Sequence, residues 1–214
     1  MIVPSILSDS LDEVQTQIDL VATQTKLHRV QVDIIDAEFA DEITITPIDL
    51  LHIDLKGLEI DIHLMTNDPI NDVVECSQIP GIKTIIAQIE HMDSQKAFLE
   101  HVKSFGIGAG LSLDLYTTPE ELDPTVLAHL SVMQVMGNRA GKQGQHFAGE
   151  QVLEKIKTIA AARTALHADY LIAVDIGMTP ENAKLCFDAG ADMVTPGSYL
   201  WTAPDLTAAI EAYR

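Results

Sequence analysis

The sequence predicts an α/β protein, a (β/α)8 TIM-type barrel formed by residues 1–214 as a single domain, and three observations lead there. Short β-rich apolar runs alternate along the whole chain with stretches of helical periodicity, in eight rounds, which is the pattern of βα units around a parallel sheet. No linker rich in Pro, Gly or Ser interrupts the rounds, and the length suits one compact unit. Neither GxGxxG after the first strand nor GxxxxGKS/T anywhere is present, which removes the motif arguments for an open nucleotide-binding sheet.

Each element has its own signal. IVPSIL from Ile2 is the first strand, and SDSLDEVQTQIDLVATQT is the helix behind it, with Ser and Asp as caps. RVQVDII from Arg29 is the second strand and LEIDIHLM from Leu58 the third, followed by the helical DPINDVVECS. KTIIAQI from Lys83 precedes DSQKAFLEHVKSFG, with Gly after its end, and GAGLSLD from Gly108 is the fifth strand. VMQVM from Val132 and then GEQVLEKIKTIAAARTALH form the sixth round. YLIAVDI from Tyr170 leads into TPENAKLCFDAG, where Pro180 suits a first turn, and DMVTPG from Asp192 leads into APDLTAAIEAYR. Helical material is expected after every strand.

Composition narrows the function. With 13 Lys and Arg against 32 Asp and Glu, the formal charge of −19 repels phosphate backbones and anionic membranes, so the expected partner is a small molecule rather than nucleic acid or lipid. At 47% hydrophobic residues the chain is too apolar to stay disordered. The amino-terminal MIVPSILSDSLDEV has no basic region followed by an apolar run, and this predicts a cytoplasmic protein. Cys76 and Cys186 have no metal-finger or disulfide spacing and read as reduced thiols. His28, His52, His91, His101, His129, His146 and His167 read as structural or surface residues.

In a barrel of this kind chemistry sits at the C-terminal ends of the strands. Reading those positions gives Ser5, Asp33 and Asp36, His63 and Met65, Gln88 and Glu90, Asp114, the loop from Met136 to Phe147, Asp175 and Gly177, and Gly197 with Ser198. A charged side chain in a buried parallel strand is costly unless paired or bound, so Asp33 and Asp175 stand out. Either taken alone reads equally well as a helix cap.

Six stretches resemble the ribulose-phosphate 3-epimerase family: VPSILS at 3–8, VDIID at 32–36, DIHLM at 61–65, GNRAGKQGQHF at 137–147, VDIGM at 174–178 and AGADMVTPGS at 189–198. The resemblance spans essentially the whole chain. It implies an epimerase that inverts C3 of a ketose phosphate of the D-ribulose 5-phosphate and D-xylulose 5-phosphate class through an ene-diolate, with Asp33 and Asp175 moving the proton. Inverting a stereocentre needs one ionised and one protonated carboxyl on opposite faces. It also implies a divalent ion (Zn, Fe, Mn or Co) on Asp33, His63 and Asp175, substrate contacts from Ser5, His63, Met65, Gly141, Gly144, Gly177, Gly197 and Ser198, and a homo-oligomer.

The chain departs from the family pattern at definite places. Gln31 stands where the first metal-binding His is usual, and an amide oxygen is a weaker ligand than imidazole for zinc or iron. Gln88 replaces a His after the fourth strand, Ile35 a Met and Ala37 a Gly, while Gln143 and Ile176 put a Cβ where the family has glycine near a phosphate. Arg139 and Lys142 are the only cations of the loop after the sixth strand, and either compensates by binding an anion or is a solvated loop residue. The alternative to an epimerase is a diverged, metal-free homologue that binds an anionic sugar without turnover. Aldol or decarboxylase chemistry, which the resemblance associates with DxKxxD after the third strand, ranks lower because Asp61 to Thr66 contains no Lys.

Overall fold

The computed structural model describes residues 1–214 and has eight parallel strands in the order β1 to β8, each beside its sequence neighbour. They are β1 (Ser5–Ile6), β2 (Arg29–Ile35), β3 (Glu59–Met65), β4 (Ile82–Gln88), β5 (Gly108–Leu113), β6 (Val132–Met136), β7 (Leu171–Asp175) and β8 (Met193–Thr195). The ring closes between β8 and β1, where Val3 N donates to Val194 O and Ser5 N to Pro196 O, each at 3.0 Å. β1 is shorter than the expected IVPSIL because Pro4 has no N–H to give the ladder. The other seven strands match their expected runs to within one residue at the start and two at the end.

The helices are α1 (Leu11–Gln24), α2 (Val73–Cys76), α3 (Gln95–Ser104), α4 (Glu150–Leu166), α5 (Pro180–Ala189), α6 (Ser198–Trp201) and α7 (Leu206–Glu211). The side chains of Ser10, Ser94, Thr179 and Asp205 each accept a hydrogen bond from a first-turn amide, and Gly190 ends α5 in the left-handed conformation. Helical material follows every strand, but not always as α-helix. Behind β2 there is one 3-10 turn at Asp49–His52, and behind β5 there are two, at Pro119–Glu121 and Leu127–His129. Behind β5, Pro119 suits a first turn, but Pro124 removes a donor and restricts Asp123, so a helix begun at Pro119 cannot continue past it.

Most of the apolar core lies between the barrel and its helices, in one cluster of 44 buried residues, whereas the apolar cluster inside the barrel has only Val3, Ile86, Val132, Ala173 and Met193. Many of the other inward positions are polar, although Ile35, Met65 and Met136 also point inward at the C-terminal end. Register partners in a parallel sheet point to the same side, so Ser5 opposite Gln31, Asp33 opposite His63, Gln88 opposite Ser112 and Asp175 opposite Thr195 all face the barrel axis. Cys76 and Cys186 are free, buried thiols, and burial pushes both up from the usual thiol range. No helix is long and apolar enough to cross a membrane.

At the N-terminal end of the barrel Arg29 makes a two-pronged pair with the fully buried Asp61, Nε and Nη2 each donating at 2.7 Å, and Nη2 also reaches Thr84 Oγ1 at 3.1 Å. Burial raises the Asp61 carboxyl from its ordinary value although the guanidinium draws it down, so the charge is tolerated only through its partner. Arg29→Met should therefore destabilise the fold by about 3–5 kcal/mol in urea denaturation. Adding Asp61→Leu should restore most of the loss, and a double variant as unstable as the single one would refute this account.

Candidate active site

β2, β3 and β7 bring Asp33, His63 and Asp175 to the C-terminal end of the barrel, where all three are buried. Their ligand atoms lie within 4.8 Å of one another. Asp33 is the most heavily bonded: Oδ2 accepts from Ser5 Oγ at 2.5 Å, and Oδ1 accepts from Gln31 Nε2 at 2.8 Å and stands 3.0 Å from His63 Nδ1. Asp175 Oδ1 accepts from the Ile176 amide at 2.6 Å, and its Oδ2 accepts from the same Gln31 Nε2 at 2.8 Å. One amide nitrogen therefore bridges the two carboxylates, while the Gln31 oxygen has no hydrogen-bond partner.

The two acids differ in environment. Asp175 is pushed up to about 6 by burial first and by the charge of Asp33 second, with His63 and the Ile176 amide acting in the opposite direction. Donors reach both oxygens of each carboxylate, so the asymmetry comes from the burial of Asp175 and from the charge beside it. The pair thus has the asymmetry that proton transfer to opposite faces of one carbon requires.

His63 is oriented from behind by Gln88, Glu90 and Ser112, of which the sequence placed the first two among the strand ends without giving them a role. With the Gln88 oxygen facing the ring, it accepts from His63 Nε2 at 3.2 Å and from Ser112 Oγ at 3.0 Å, and the Gln88 amide donates to Glu90 Oε2 at 2.8 Å and to Ser112 O at 3.3 Å. A proton on Nε2 leaves the Nδ1 lone pair facing carboxylate oxygens at 3.0 and 3.8 Å. Only positive charge makes that arrangement favourable, either a proton on Nδ1 or a metal ion. An outer hydrogen bond to the second nitrogen is the usual setting of a metal-binding His. The donor set therefore fits a divalent cation on Asp33, His63 and Asp175, three protein ligands with room for substrate or water. The signal for Gln88 was its inward-facing position two residues beyond Ile86.

Above the three residues lies a cavity of about 270 Å³. Ser5, Met65, Gly141, Lys142, Gly144, Gly177, Gly197 and Ser198 line it, together with Phe147, Ile176, Asn182 and Tyr199. His63 lies in the floor beneath, fully buried. Lys142 is the one Lys or Arg in the lining. Arg139 points elsewhere: it lines a shallow groove beside the loop after β2, with its guanidinium 5.9 Å from the Tyr116 ring centroid. Of the pair of loop cations only Lys142 faces the cavity. The β6 loop closes against the β2 loop, with Gln143 N donating to Glu42 Oε2 at 3.1 Å and Gly141 N directed at Met65 Sδ at 3.2 Å.

The loop after β7 is strained. Ile176 has φ +69, a left-handed conformation that a β-branched residue rarely adopts, and Gly177 follows at φ +71. Tertiary contacts hold it there. A Cβ on Gly137 would lie 2.3 Å from Ile176 O, a Cβ on Gly177 would lie 2.4 Å from Phe147 N, and Asn182 Nδ2 donates to Gly177 O at 2.7 Å. The strain keeps the Ile176 amide on Asp175.

These features define a parallel barrel of the (β/α)8 kind whose site pairs two carboxylates beneath a small cavity. Across residues 1–201 the chain matches the model of the ribulose-phosphate 3-epimerase family. It is 32% identical to ribulose-phosphate 3-epimerase of Chlamydia pneumoniae, over 83% of this chain and 77% of the relative. It is 30% identical to the Synechocystis enzyme of the same name, over 100% and 93%. Among solved structures, phosphoribosyl anthranilate isomerase from Thermus thermophilus superposes with a TM-score of 0.62 at 13% identity, covering 100% of this chain and 95% of that one, which shows the shared barrel alone. The chain belongs to the ribulose-phosphate 3-epimerase family.

Ile176→Gly should relieve the left-handed strain, worth on the order of 1–3 kcal/mol, against roughly 0.5–1 kcal/mol of added chain entropy. Thermal denaturation should therefore show the variant at least as stable as the parent, and a loss above about 1 kcal/mol would mean that the isoleucine side chain outweighs the strain. Asp175 supplies a pH test. A carboxyl raised in the folded state binds its proton more tightly there, so its contribution to stability is full below about 4 and lost as pH rises through about 6. In chelator-treated protein, the stability of Asp175→Asn relative to the parent should improve between pH 4 and pH 6.5. An unchanged difference would show that Asp175 is not raised.

Proposed function

We propose that this protein epimerises a phosphorylated ketose at C3, in the class of D-ribulose 5-phosphate and D-xylulose 5-phosphate, with Asp33 and Asp175 as the two proton-transfer groups. The observation that carries the proposal is the buried carboxylate pair, joined across one amide beneath a cavity, with Asp175 raised to about 6 by burial and by the charge of Asp33. The names of the relatives supply the substrate class.

Asp33, ionised, removes the C3 proton from one face of the bound ketose. Asp175, protonated, returns a proton to the opposite face, so the C–H bond broken on one side is remade on the other and the carbonyl electrons pass through an ene-diolate and back. In the reverse direction the two acids exchange roles. Ser5 and Gln31 hold the Asp33 carboxylate in place, and the Ile176 amide holds that of Asp175. Gln88 fixes the His63 ring beneath them. A divalent ion on Asp33, His63 and Asp175 would polarise the carbonyl and stabilise the oxyanion that develops there. Lys142, at the mouth, and the lining formed by Gly177, Gly197 and Ser198 suit the phosphate end of the ligand. Phe147 and Met65 shield the reacting carbons from water.

A second reading, a homologue that binds an anionic sugar without turnover, draws support from Gln31 in the place of a ligating imidazole and from the Cβ at Ile176. Isotope exchange separates the two. In deuterium oxide, Asp33→Asn and Asp175→Asn should each lose turnover by roughly 10²–10⁴-fold while keeping the fold. Each should still wash solvent deuterium into C3 of one epimer and not the other, in opposite senses. Wild-type protein that neither epimerises nor exchanges would favour the binding-only reading, and exchange of both epimers by a single variant would exclude the two-acid assignment.

A further inference from the structure

We propose that the Gln31 amide turns over when a divalent cation enters the site, making its Oε1 the fourth protein ligand and biasing the site toward oxygen-preferring cations of the magnesium and manganese kind at the expense of zinc. The inference rests on the metal reading of Asp33, His63 and Asp175. Gln31 is fully buried on the inward face of β2. Its Nε2 stands 2.8 Å from Asp33 Oδ1 and 2.8 Å from Asp175 Oδ2, while Oε1 of the same amide has no partner. A buried carbonyl oxygen without a donor is unfavourable, and an amide can exchange its two ends by half a turn about Cγ–Cδ with little movement of other atoms. The turn breaks no hydrogen bond made by Oε1, because there is none.

After the turn, Oε1 takes the place of the nitrogen, about 2.8 Å from two carboxylate oxygens. Three oxygens so close repel one another, and only a cation among them reverses the sign. The spacing suits one. Around a small cation with bonds of about 2.1 Å, neighbouring oxygens at right angles are roughly 3 Å apart. His63 Nδ1, at 3.0 Å from Asp33 Oδ1 and 3.8 Å from Asp175 Oδ2, belongs to the same cluster. The resulting set is three oxygens and one nitrogen, harder than a set with a second imidazole, and this weakens zinc more than manganese or magnesium. In the state without a cation, the same amide presents its donors and bridges the carboxylates. One neutral side chain thus serves both states, which an imidazole, aromatic and fixed in its ring, cannot do by a simple exchange of ends.

The test measures Mn2+ and Zn2+ affinities by competition with a chromogenic chelator on metal-stripped protein, for wild type, Gln31→Leu, Gln31→Asn and Gln31→His. Gln31→Leu should weaken Mn2+ binding by about tenfold or more, since even outer-sphere changes at metal sites cost that much. Gln31→Asn, which keeps the amide but falls one methylene short, should weaken it in the same direction and carries the test if the leucine variant does not fold. Gln31→His should raise the ratio of Zn2+ to Mn2+ affinity by about tenfold or more. If the wild-type protein binds neither ion at one per chain, the metal reading itself fails. If it binds Mn2+ but the leucine and asparagine variants bind it equally well, and the histidine variant leaves the ratio unchanged, Gln31 is no ligand while the metal reading stands.

Discussion

Two carboxylates buried side by side are the constraint on which the rest of the barrel depends. In a medium that screens charge poorly, Asp33 and Asp175 repel each other, and each loses the water that would stabilise its charge. The surroundings offset both costs with donors: Ser5 and Gln31 on one acid, Gln31 and the Ile176 amide on the other, and the His63 ring between them. The compensation is unequal, and the inequality is what chemistry can use. Asp175 is the acid whose proton is held to higher pH, by burial first and by the charge of Asp33 second.

Meeting that demand reshapes the core. A barrel interior is ordinarily filled with branched apolar side chains, but here many of the inward positions near the C-terminal end are Ser, Gln, Asp, His and Thr, beside Ile35, Met65 and Met136. The five-residue apolar cluster inside is small, and the largest apolar cluster is the shell between strands and helices. The Arg29–Asp61 pair marks the other end of the same polar column. The strained turn at Ile176 belongs to this economy too: the interlocked loops after β6 and β7 hold a conformation that the residue disfavours, and that conformation places an amide on Asp175.

Much of this was legible in the sequence, and for particular reasons. RVQVDII and VMQVM carry their strand assignment in their composition, and the observed bounds coincide with those runs. Asp33 and Asp175 were conspicuous as acids inside apolar strands, and the motif resemblance coupled them to His63. Elements set by competition between neighbours were harder to read. Behind β2 and β5 the expected helical material forms only as 3-10 turns, and behind β5 Pro124 stops the turn that Pro119 begins. Arg139 and Lys142 are three residues apart in one loop, yet only the second faces the cavity, since the direction of a loop side chain depends on what it packs against, here Tyr116.

The chain's own order of residues determined the eightfold alternation, the acidic surface and the identity of the groups at the strand ends, because periodicity, charge and motif spacing are local properties that survive without neighbours. Tertiary structure alone decided that one Gln31 nitrogen would reach carboxylates 2 and 144 positions away, that Gln88 would orient His63, and that Ile176 would be held left-handed. Those are relations between strands, fixed by the register and closure of the barrel, and hydrogen bonds across such distances exist only once the ring has formed.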